Sequence, residues 1–137
     1  MNTRYIIIIG CGRLGSRLAN QLSQNGHSVV VIDKDKKKFD NLAAEFSGFR
    51  IHQDATELDV LRAAKIQRAD IVLALTGVDN VNLMVAQIAQ TIFEVPRVLA
   101  RIFDPQREQV YRQLGIVVIS PVQLSTTAIL NELAESL

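Results

Sequence analysis

The sequence predicts an α/β fold in which a doubly wound parallel sheet of six strands forms a single domain. Three observations lead to this prediction: strand-like and helix-like segments alternate along the chain, their connections are short, and most strand-like runs are almost continuously apolar. Strands of that composition are buried on both faces, as in a parallel sheet with helices on either side. Right-handed crossovers then give the strand order 3-2-1-4-5-6.

The six predicted strands are short runs rich in valine and isoleucine. They cover residues 5–9, 28–33, 50–52, 71–75, 97–102 and 117–119. The first, second, fourth and fifth have the near-continuous apolar character of strands covered on both faces.

Five helices are predicted from apolar residues at helical spacing. Their apolar positions fall within residues 14–22, 58–65, 81–92, 109–114 and 122–137. The last two helices follow Asp104-Pro105 and Ser120-Pro121, in which a capping side chain precedes a proline suited to the first helical turn. The C-terminal helix is therefore expected over about 121–137.

Composition and charge argue against several classes of function. The net charge of +1 gives no overall attraction to nucleic acid or to a membrane surface, and the lysine-rich run at 34–38 is interpreted as a solvated first helical turn.

No apolar run is long enough to span a membrane, and the N-terminus leads straight into a strand without a signal peptide. One cysteine fits a reducing cytosol. No histidine and cysteine cluster has metal-ligand spacing, so no metal site is predicted.

A glycine-rich turn follows the first predicted strand and opens the first predicted helix. Gly10, Gly12 and Gly15 have the spacing G-x-G-x-x-G, which gains meaning from that strand-to-helix position. In Rossmann-like units the first glycine permits the tight turn, the second lets a diphosphate approach the backbone, and the third lets the helix pack closely on the strand. The exposed N–H groups and the helix dipole then attract an anion.

Carboxylates at the ends of the second and third strands extend this interpretation. Asp33, expected to be exposed in the cleft, can accept hydrogen bonds from both ribose hydroxyls of an adenosine and would repel the 2′-phosphate of NADP. The alternative for Asp33 is a cap on the following helix, a role that Asp35 can equally fill. Asp54 either reads the adenine edge or forms an Asx-turn, and both interpretations stay open.

The end of the fourth strand lies at the predicted reversal of strand order, where ligands bind in sheets of this kind. Thr76 and Gly77 occupy that end, and Asp79 is expected to cap the next helix. No side chains are arranged as an evident acid and base near the strand ends, so no catalytic residue is predicted. Cys11 is interpreted as a small packing residue rather than as an activated thiol.

Several segments together resemble the N-lobe of the RCK family (regulator of conductance of potassium), also called KTN or TrkA-N. They are IIIIGCGRLGSRLANQL, VVVIDKD, DATELDVLRAAKIQRADIVLALTGVDNVNLMVAQIAQ, ARIFDP and LGIVVISP, and they run through the whole chain. The most specific features are Arg13 after the second glycine, the DAT turn, and the T-x-x-D-x-x-N pattern that begins at Thr76. One departure is Gln53, where family members often have glycine.

The resemblance implies a cytosolic module, peripheral at the inner face of the membrane through a partner, that binds NAD(H), ATP or ADP and regulates a potassium channel or transporter. With the motif residues, the predicted nucleotide site comprises Gly10, Gly12, Arg13, Leu14, Gly15, Asp33, Lys34, Asp54, Ala55, Thr76, Gly77 and Arg101. Arg13 would add charge-assisted bonds to phosphates held by its own or a facing subunit. A solvated arginine is the alternative.

Other functions remain open at this stage. The chain could be the cofactor domain of an NAD-dependent oxidoreductase, or an assembly module whose nucleotide is structural. The final helix carries Ile129, Leu130, Leu133 and Leu137 on one face, so a homodimer or a larger ring on a membrane protein is expected. A helix folded back on its own sheet is the alternative. Many members of the RCK family continue into a second lobe, so the sequence is either a single-lobe protein or part of a longer one.

Overall fold

The computed structural model of the protein describes residues 2–137 and contains one parallel sheet of six strands. The strands are Tyr5–Ile9 (β1), Ser28–Asp33 (β2), Phe49–His52 (β3), Ile71–Ala74 (β4), Arg97–Arg101 (β5) and Val117–Ile119 (β6). Their spatial order is β3-β2-β1-β4-β5-β6, and every neighbouring pair is parallel. The predicted fold class and strand order are confirmed, with strand bounds that shift by one residue at most.

Helical segments fill the connections. The α-helices are Arg13–Gln24 (α1), Leu58–Ala63 (α2), Asp79–Gln87 (α3), Glu108–Gln113 (α4) and Pro121–Leu133 (α5). A π-helical turn at Ile88–Ile92 continues α3, and 3-10 segments lie at Lys36–Asn41, Ile66–Arg68 and Pro105–Arg107. The lysine-rich run is exposed as predicted, but it opens a 3-10 segment rather than an α-helix. Among the described residues, no helix is both long and apolar enough to cross a bilayer.

Alternate residues of β1 enter two separate cores, one on each face of the sheet. Ile7 and Ile9 belong to the core that includes residues of α2, α3 and α4, whereas Ile6 and Ile8 belong to the core beneath α1. All four side chains are at most 1% exposed. A strand buried on both faces needs apolar side chains at successive positions, which is why β1 has the sequence YIIII.

The predicted apolar stripe of the third helix is only partly buried. Val85 and Ala89 are completely buried, but Met84 and Ile92 are 38% and 54% exposed. Helical periodicity shows which residues share a face, and it does not show how much of that face the sheet covers.

The C-terminal helix does not cover the sheet. Ser120 caps α5 as predicted, since its hydroxyl accepts a hydrogen bond from the N–H of Gln123 at 3.1 Å. Every residue of α5 after Pro121 is nevertheless exposed. On β6, Val117 and Ile119 are also about two-fifths exposed, at 41% and 38%. The alternative in which the final helix folds back on its own sheet is therefore wrong for this structure.

Candidate nucleotide-binding site

A cavity of about 320 Å³ opens at the carboxyl ends of the strands, where the strand order reverses between β1 and β4. Ligands bind at this position in open α/β sheets. Nine of the twelve predicted site residues line the cavity: Gly10, Gly12, Asp33, Lys34, Asp54, Ala55, Thr76, Gly77 and Arg101.

The glycine turn brings backbone atoms to this cavity. Gly10 has a φ of +102°, and its N–H donates to the carbonyl oxygen of Ile32 at 2.8 Å. A Cβ on Gly10 would lie 2.9 Å from the backbone of Leu75, whereas a Cβ on Gly12 would meet no atom within 4 Å. Gly12 therefore faces open space in which a ligand can approach the backbone.

The N-terminus of α1 is suited to an anion. α1 begins after Gly12, has no side-chain cap and carries no acidic residue in its first turn. The first N–H groups of a helix have no acceptor within the helix and carry a partial positive charge. A phosphate on the Gly12 side of the cavity would satisfy them.

The three remaining predicted residues lie outside the cavity lining. A Cβ on Gly15 would lie 1.9 Å from the carbonyl oxygen of Gly10, so Gly15 allows close contact between α1 and the glycine turn. Leu14 packs against the core beneath α1. Arg13, the first residue of α1, is exposed.

Asp33 is buried rather than exposed in the cleft as expected. It is 9% exposed, and its Oδ2 accepts from the N–H of Cys11 while its Oδ1 accepts from the N–H of Asp35, both at 2.8 Å. The carboxylate thus fixes the glycine turn to the end of β2. Each carboxylate oxygen still has a second acceptor position, so Asp33 can also accept ribose hydroxyls. Asp35 caps the following 3-10 segment, accepting from the N–H of Lys37 at 3.1 Å.

Asp54 forms the Asx-turn that was one of its two interpretations, and it also lines the cavity. Its Oδ1 accepts from the hydroxyl of Thr56 at 2.7 Å and from the N–H of Thr56 at 2.9 Å. These two bonds, the hydroxyl bond first, hold the pKa of Asp54 below its usual value. A negative charge is therefore present at the β3 end of the cavity near neutral pH.

A buried asparagine joins the ends of β4 and β5. Asn82 is 1% exposed, and its Oδ1 accepts from the N–H of Thr76 at 2.8 Å and from its hydroxyl at 2.7 Å. The Nδ2 of Asn82 donates to the carbonyl oxygens of Thr76 and Arg101, each at 3.0 Å. One side chain on α3 therefore sets the positions of two cavity residues.

Asp79 does not cap α3, and the prediction that it would is wrong. α3 begins at Asp79 itself, after Val78, without a side-chain cap. The Asp79 carboxylate instead accepts from the N–H groups of Phe103 and Asp104 at 2.8 and 3.1 Å. It ties the loop that follows β5 to the start of α3.

Arg101 brings a guanidinium to the β5 side of the cavity. Its Nη2 donates to the carbonyl oxygens of Leu75 and Thr76, and its guanidinium carbon lies 4.7 Å from the ring centroid of Phe103. The Nε is buried and has no hydrogen-bond partner within residues 2–137. Burial lowers the pKa of Arg101, while the nearby Asp79 acts in the opposite direction, and an arginine remains charged. A charged guanidinium that lines the cavity is suited to an anion.

Sequence reasoning left several cavity residues out of the predicted site. Gln53 and Thr56, which flank the predicted Asp54 and Ala55, line the cavity, and so does Lys38. Gln53 could have been found from its position, because it directly follows β3 at the ligand edge of the sheet, and Thr56 could have been found from the DAT turn that contains it. Lys38 lies in the 3-10 segment after β2, where no such rule applies.

Cys11 has the environment of a packing residue. It is completely buried, and burial first, then the charge of Asp33, raises the pKa of the thiol to about 11. The thiol is therefore protonated near neutral pH and a poor nucleophile. Within residues 2–137, no group of three or more histidine, cysteine, aspartate or glutamate side chains could hold a metal ion.

Known proteins share this sequence pattern. Residues 6–121 match the family model of the TrkA-N domain. A Trk system potassium uptake protein TrkA from Streptomyces coelicolor is 41% identical over 132 residues, which are 96% of this chain and 59% of that protein. A TrkA homolog from Methanothermobacter thermautotrophicus is 35% identical over 118 residues, which are 85% of this chain and 54% of that protein. The chain thus spans less than two thirds of either relative.

Solved structures share the fold. The GsuK RCK domain superposes with a TM-score of 0.80 at 25% identity, over 97% of this chain and 28% of that chain. The TrkA-N domain of the inner membrane protein ybaL from Escherichia coli superposes with a TM-score of 0.83 at 17% identity, over 96% and 98% of the two chains. At 17% identity, the second likeness is one of fold alone.

Proposed function

The chain belongs to the TrkA-N domain family, and from this premise we propose that it is the nucleotide-binding regulatory module of a potassium channel or transporter. Relatives named as Trk system potassium uptake proteins support the potassium connection. The observation that carries the proposal is a single cavity, at the reversal of strand order, that combines an uncapped helix N-terminus, the carboxylate of Asp33 and the guanidinium of Arg101.

The ligand is an adenine nucleotide: NAD(H), ATP or ADP. Solved structures of the same fold include the GsuK channel bound to NAD, GsuK bound to ADP, and a Kef C-terminal domain in an AMP-bound form. Those ligands share an AMP moiety. In this chain the diphosphate would lie on the Gly12 side, the adenosine ribose at Asp33 and the adenine beside Asp54 and Ala55. Arg101 would meet the part of the ligand beyond the diphosphate.

The site should prefer nucleotides without a 2′-phosphate. The carboxylate of Asp33 accepts from two backbone N–H groups, which fix its position at the end of β2. A 2′-phosphate would place a second negative charge against it. NADP would accordingly bind at least about tenfold more weakly than NAD.

Hydrogen bonds connect the cavity to α3 and to the ends of β4 and β5. Asn82 bonds to both Thr76 and Arg101, so a ligand that moves either residue acts on α3 and on both strand ends. A ligand shifts a conformational equilibrium only as far as it binds the two states differently. The regulatory function therefore requires that nucleotides differ in how they contact this part of the cavity.

The assembled form is proposed to be a homodimer, or a larger ring, held in the cytoplasm at the inner face of the membrane by its transporter partner. Leu130 and Leu133 on α5, and Val117 and Ile119 on β6, are all exposed. The α5 helix of one copy would cover the open β6 region of another. A standard interface buries about 800 Å² on each partner, which one helix and its neighbouring loops can supply.

The proposed role is binding and regulation rather than catalysis. The relatives named above are potassium uptake proteins, and no observation favours the alternative of an oxidoreductase cofactor domain. The two roles separate in one assay. Consumption of NADH with carbonyl substrates would support an enzyme, whereas saturable binding without turnover supports a regulator.

The proposed ligand class is tested by mass spectrometry of the nucleotide that co-purifies with the natively folded protein. Calorimetry with NAD, NADH, ATP, ADP and NADP then ranks the affinities. We expect the retained nucleotide to lack a 2′-phosphate and to compete with added NAD or ADP. A folded protein that retains no nucleotide and gives no binding heat with any of the five would contradict the proposal.

A further inference from the structure

The edge of the sheet opposite β6 is an open strand. β3 pairs with β2 alone, and no backbone hydrogen bond outside that ladder reaches Phe49, Arg50 or Ile51 in the part of the chain that the structure describes. The outward N–H and C=O groups of an edge strand are a template for pairing with another extended segment.

An exposed aromatic ring lies on this edge. Phe49 is 73% exposed, and it lines two neighbouring grooves that share Tyr5 and Val30. The larger groove runs between β3 and α2, with Ile51 and Ala64 among its apolar lining residues. A large exposed apolar side chain beside such a groove is typical of an interaction surface.

The charges around this groove all have one sign. Arg50, Lys65 and Arg68 line it, and no acidic residue does. None of the three is among the salt bridges within residues 2–137. The guanidinium of Arg50 lies 5.1 Å from the ring centroid of Phe46, which leaves Lys65 and Arg68 to meet a ligand of opposite charge. The chain's net charge is only +1, so this excess is local.

Lys65 has an uncommon backbone conformation for a lysine. Its φ and ψ are 60° and 45°, in the left-handed region, at the turn between α2 and the following 3-10 segment. Glycine adopts this conformation without steric cost, whereas residues with a Cβ are uncommon there. A lysine at this position keeps a cation on the wall of the groove where glycine would fit the backbone better.

We propose that the groove beside β3, lined by Phe49, Lys65 and Arg68, binds an extended acidic segment of a partner protein. The segment adds to β3 as a further strand, places an apolar side chain beside Phe49, and directs carboxylates toward the two cations. Main-chain hydrogen bonds supply affinity and the side-chain contacts supply specificity in such strand addition. The groove shares no lining residue with the nucleotide cavity, so a partner and a nucleotide can bind together.

The probe is a capped peptide with the repeat valine-threonine-glutamate-threonine, in which valine and glutamate lie on the same face of a strand, and a counterpart with lysine in place of glutamate is the charge control. The isotope-labelled protein is titrated with each peptide while its amide NMR signals are followed. We expect saturable shifts confined to residues 49–51 and 63–68 with the glutamate peptide, and at least roughly tenfold weaker binding of the lysine peptide. The affinity for ADP should not change.

Variants then assign the contacts. Lys65→Gly suits the left-handed backbone, so this variant should be as stable as the parent protein. Because it removes one charge from the groove, it should bind the glutamate peptide several-fold more weakly. Phe49→Ala should also weaken binding, and Arg17→Glu, at an exposed site on α1 away from the groove, should leave it unchanged. Equal binding of both peptides, or no shifts at residues 49–51, would overturn the proposal. So would binding to phosphatidylserine vesicles without binding of the peptide, because the surface would then recognise lipid.

Discussion

Two arginines of the predicted nucleotide site have different surroundings in the folded chain. Arg101 lines the cavity with a buried, unsatisfied Nε, while Arg13 is exposed at the start of α1. The resemblance placed both arginines in the predicted nucleotide site. Burial and hydrogen bonding separate them, because a partly desolvated guanidinium binds an anion more strongly than a solvated one.

Arg101→Ala should therefore weaken the binding of NAD and ATP, which extend beyond the diphosphate, roughly tenfold to a hundredfold, as expected for loss of a hydrogen-bonded charge. Arg13→Ala removes the same charge from an exposed position and serves as the matched control, with affinity measured by calorimetry on the isolated protein. Equal weakening by the two variants would mean that Arg13 reaches the ligand, in its own or a facing subunit. No weakening by Arg101→Ala would remove Arg101 from the site.

The acid response of the cavity depends on Thr56, whose hydroxyl and N–H lower the pKa of Asp54. Because the folded pKa lies below the unfolded one, the stability that this pair contributes is complete above the unfolded pKa. It is lost as the pH falls through the lower folded pKa. Thr56→Val keeps the N–H and removes the hydroxyl, so the pKa of Asp54 should rise toward its usual value. Carboxyl NMR titration measures this, with Thr127→Val on exposed α5 as the control. An unchanged pKa would contradict the assigned cause.

At the scale of elements, the turn from β1 to α1 contains glycines with different purposes. A Cβ on Gly15 would meet the carbonyl oxygen of Gly10 at 1.9 Å, and a Cβ on Gly12 would meet nothing within 4 Å. Gly12 has φ −76° and ψ −158°, which alanine also adopts. Gly15 is thus a packing residue, and Gly12 is the one whose missing side chain leaves room for a ligand.

Gly15→Ala should lower the free energy of unfolding by about 2 kcal/mol or more, because α1 must move away from the glycine turn. Gly12→Ala should change the free energy of unfolding by less than about 1 kcal/mol. It should weaken ADP binding roughly tenfold, because the alanine methyl group occupies the space next to the phosphate. Denaturant unfolding of the apo proteins and calorimetry separate the two effects. A Gly12→Ala protein that binds ADP normally would move the diphosphate away from this turn.

The exposed apolar side chains of α5 lead to a prediction about the oligomeric state. Leu130 and Leu133 are 55% and 42% exposed, so glutamate at both positions leaves the core of the protomer intact. The double variant Leu130→Glu with Leu133→Glu should sediment as a folded monomer, whereas the parent should sediment as a dimer. Gln123→Glu, also exposed on α5, tests for effects of charge alone. A monomeric parent would contradict the proposed assembly, and an unfolded double variant would contradict the exposed position of α5.

For the whole molecule, the fold could be predicted because its determinants are local. Strands buried on both faces are apolar at successive positions, and right-handed crossovers leave few arrangements of six such strands. Exposed faces were harder to predict, as Met84, Ile92 and α5 show. Periodicity identifies an apolar face, and the partner that covers it lies elsewhere in the chain or in another molecule.

The candidate site was predictable where it follows strand ends and less so where contacts are distant. Asp33 ends β2, Asp54 and Thr76 lie two residues beyond the ends of β3 and β4, and all three line the cavity. The carboxylate of Asp79 accepts from the N–H of Phe103, which is 24 residues away in the sequence. A rule based on neighbouring residues predicts a helix cap at Asp79 and cannot predict so distant a contact. The bond from the N–H of Cys11 to the carboxylate of Asp33 likewise joins residues that are 22 positions apart, in the glycine turn and at the end of β2.

The central claim, that this cavity binds adenine nucleotides through the ribose at Asp33, is tested most directly by calorimetric titration of NAD and NADP into the same protein. Asp33→Ala should narrow the difference in affinity between NAD and NADP. It should also lower the free energy of unfolding, because the N–H of Cys11 loses its acceptor. Asp35→Ala is the matched control. We expect saturable NAD binding, with NADP binding at least about tenfold more weakly. Equal affinities for NAD and NADP in the parent protein would contradict it.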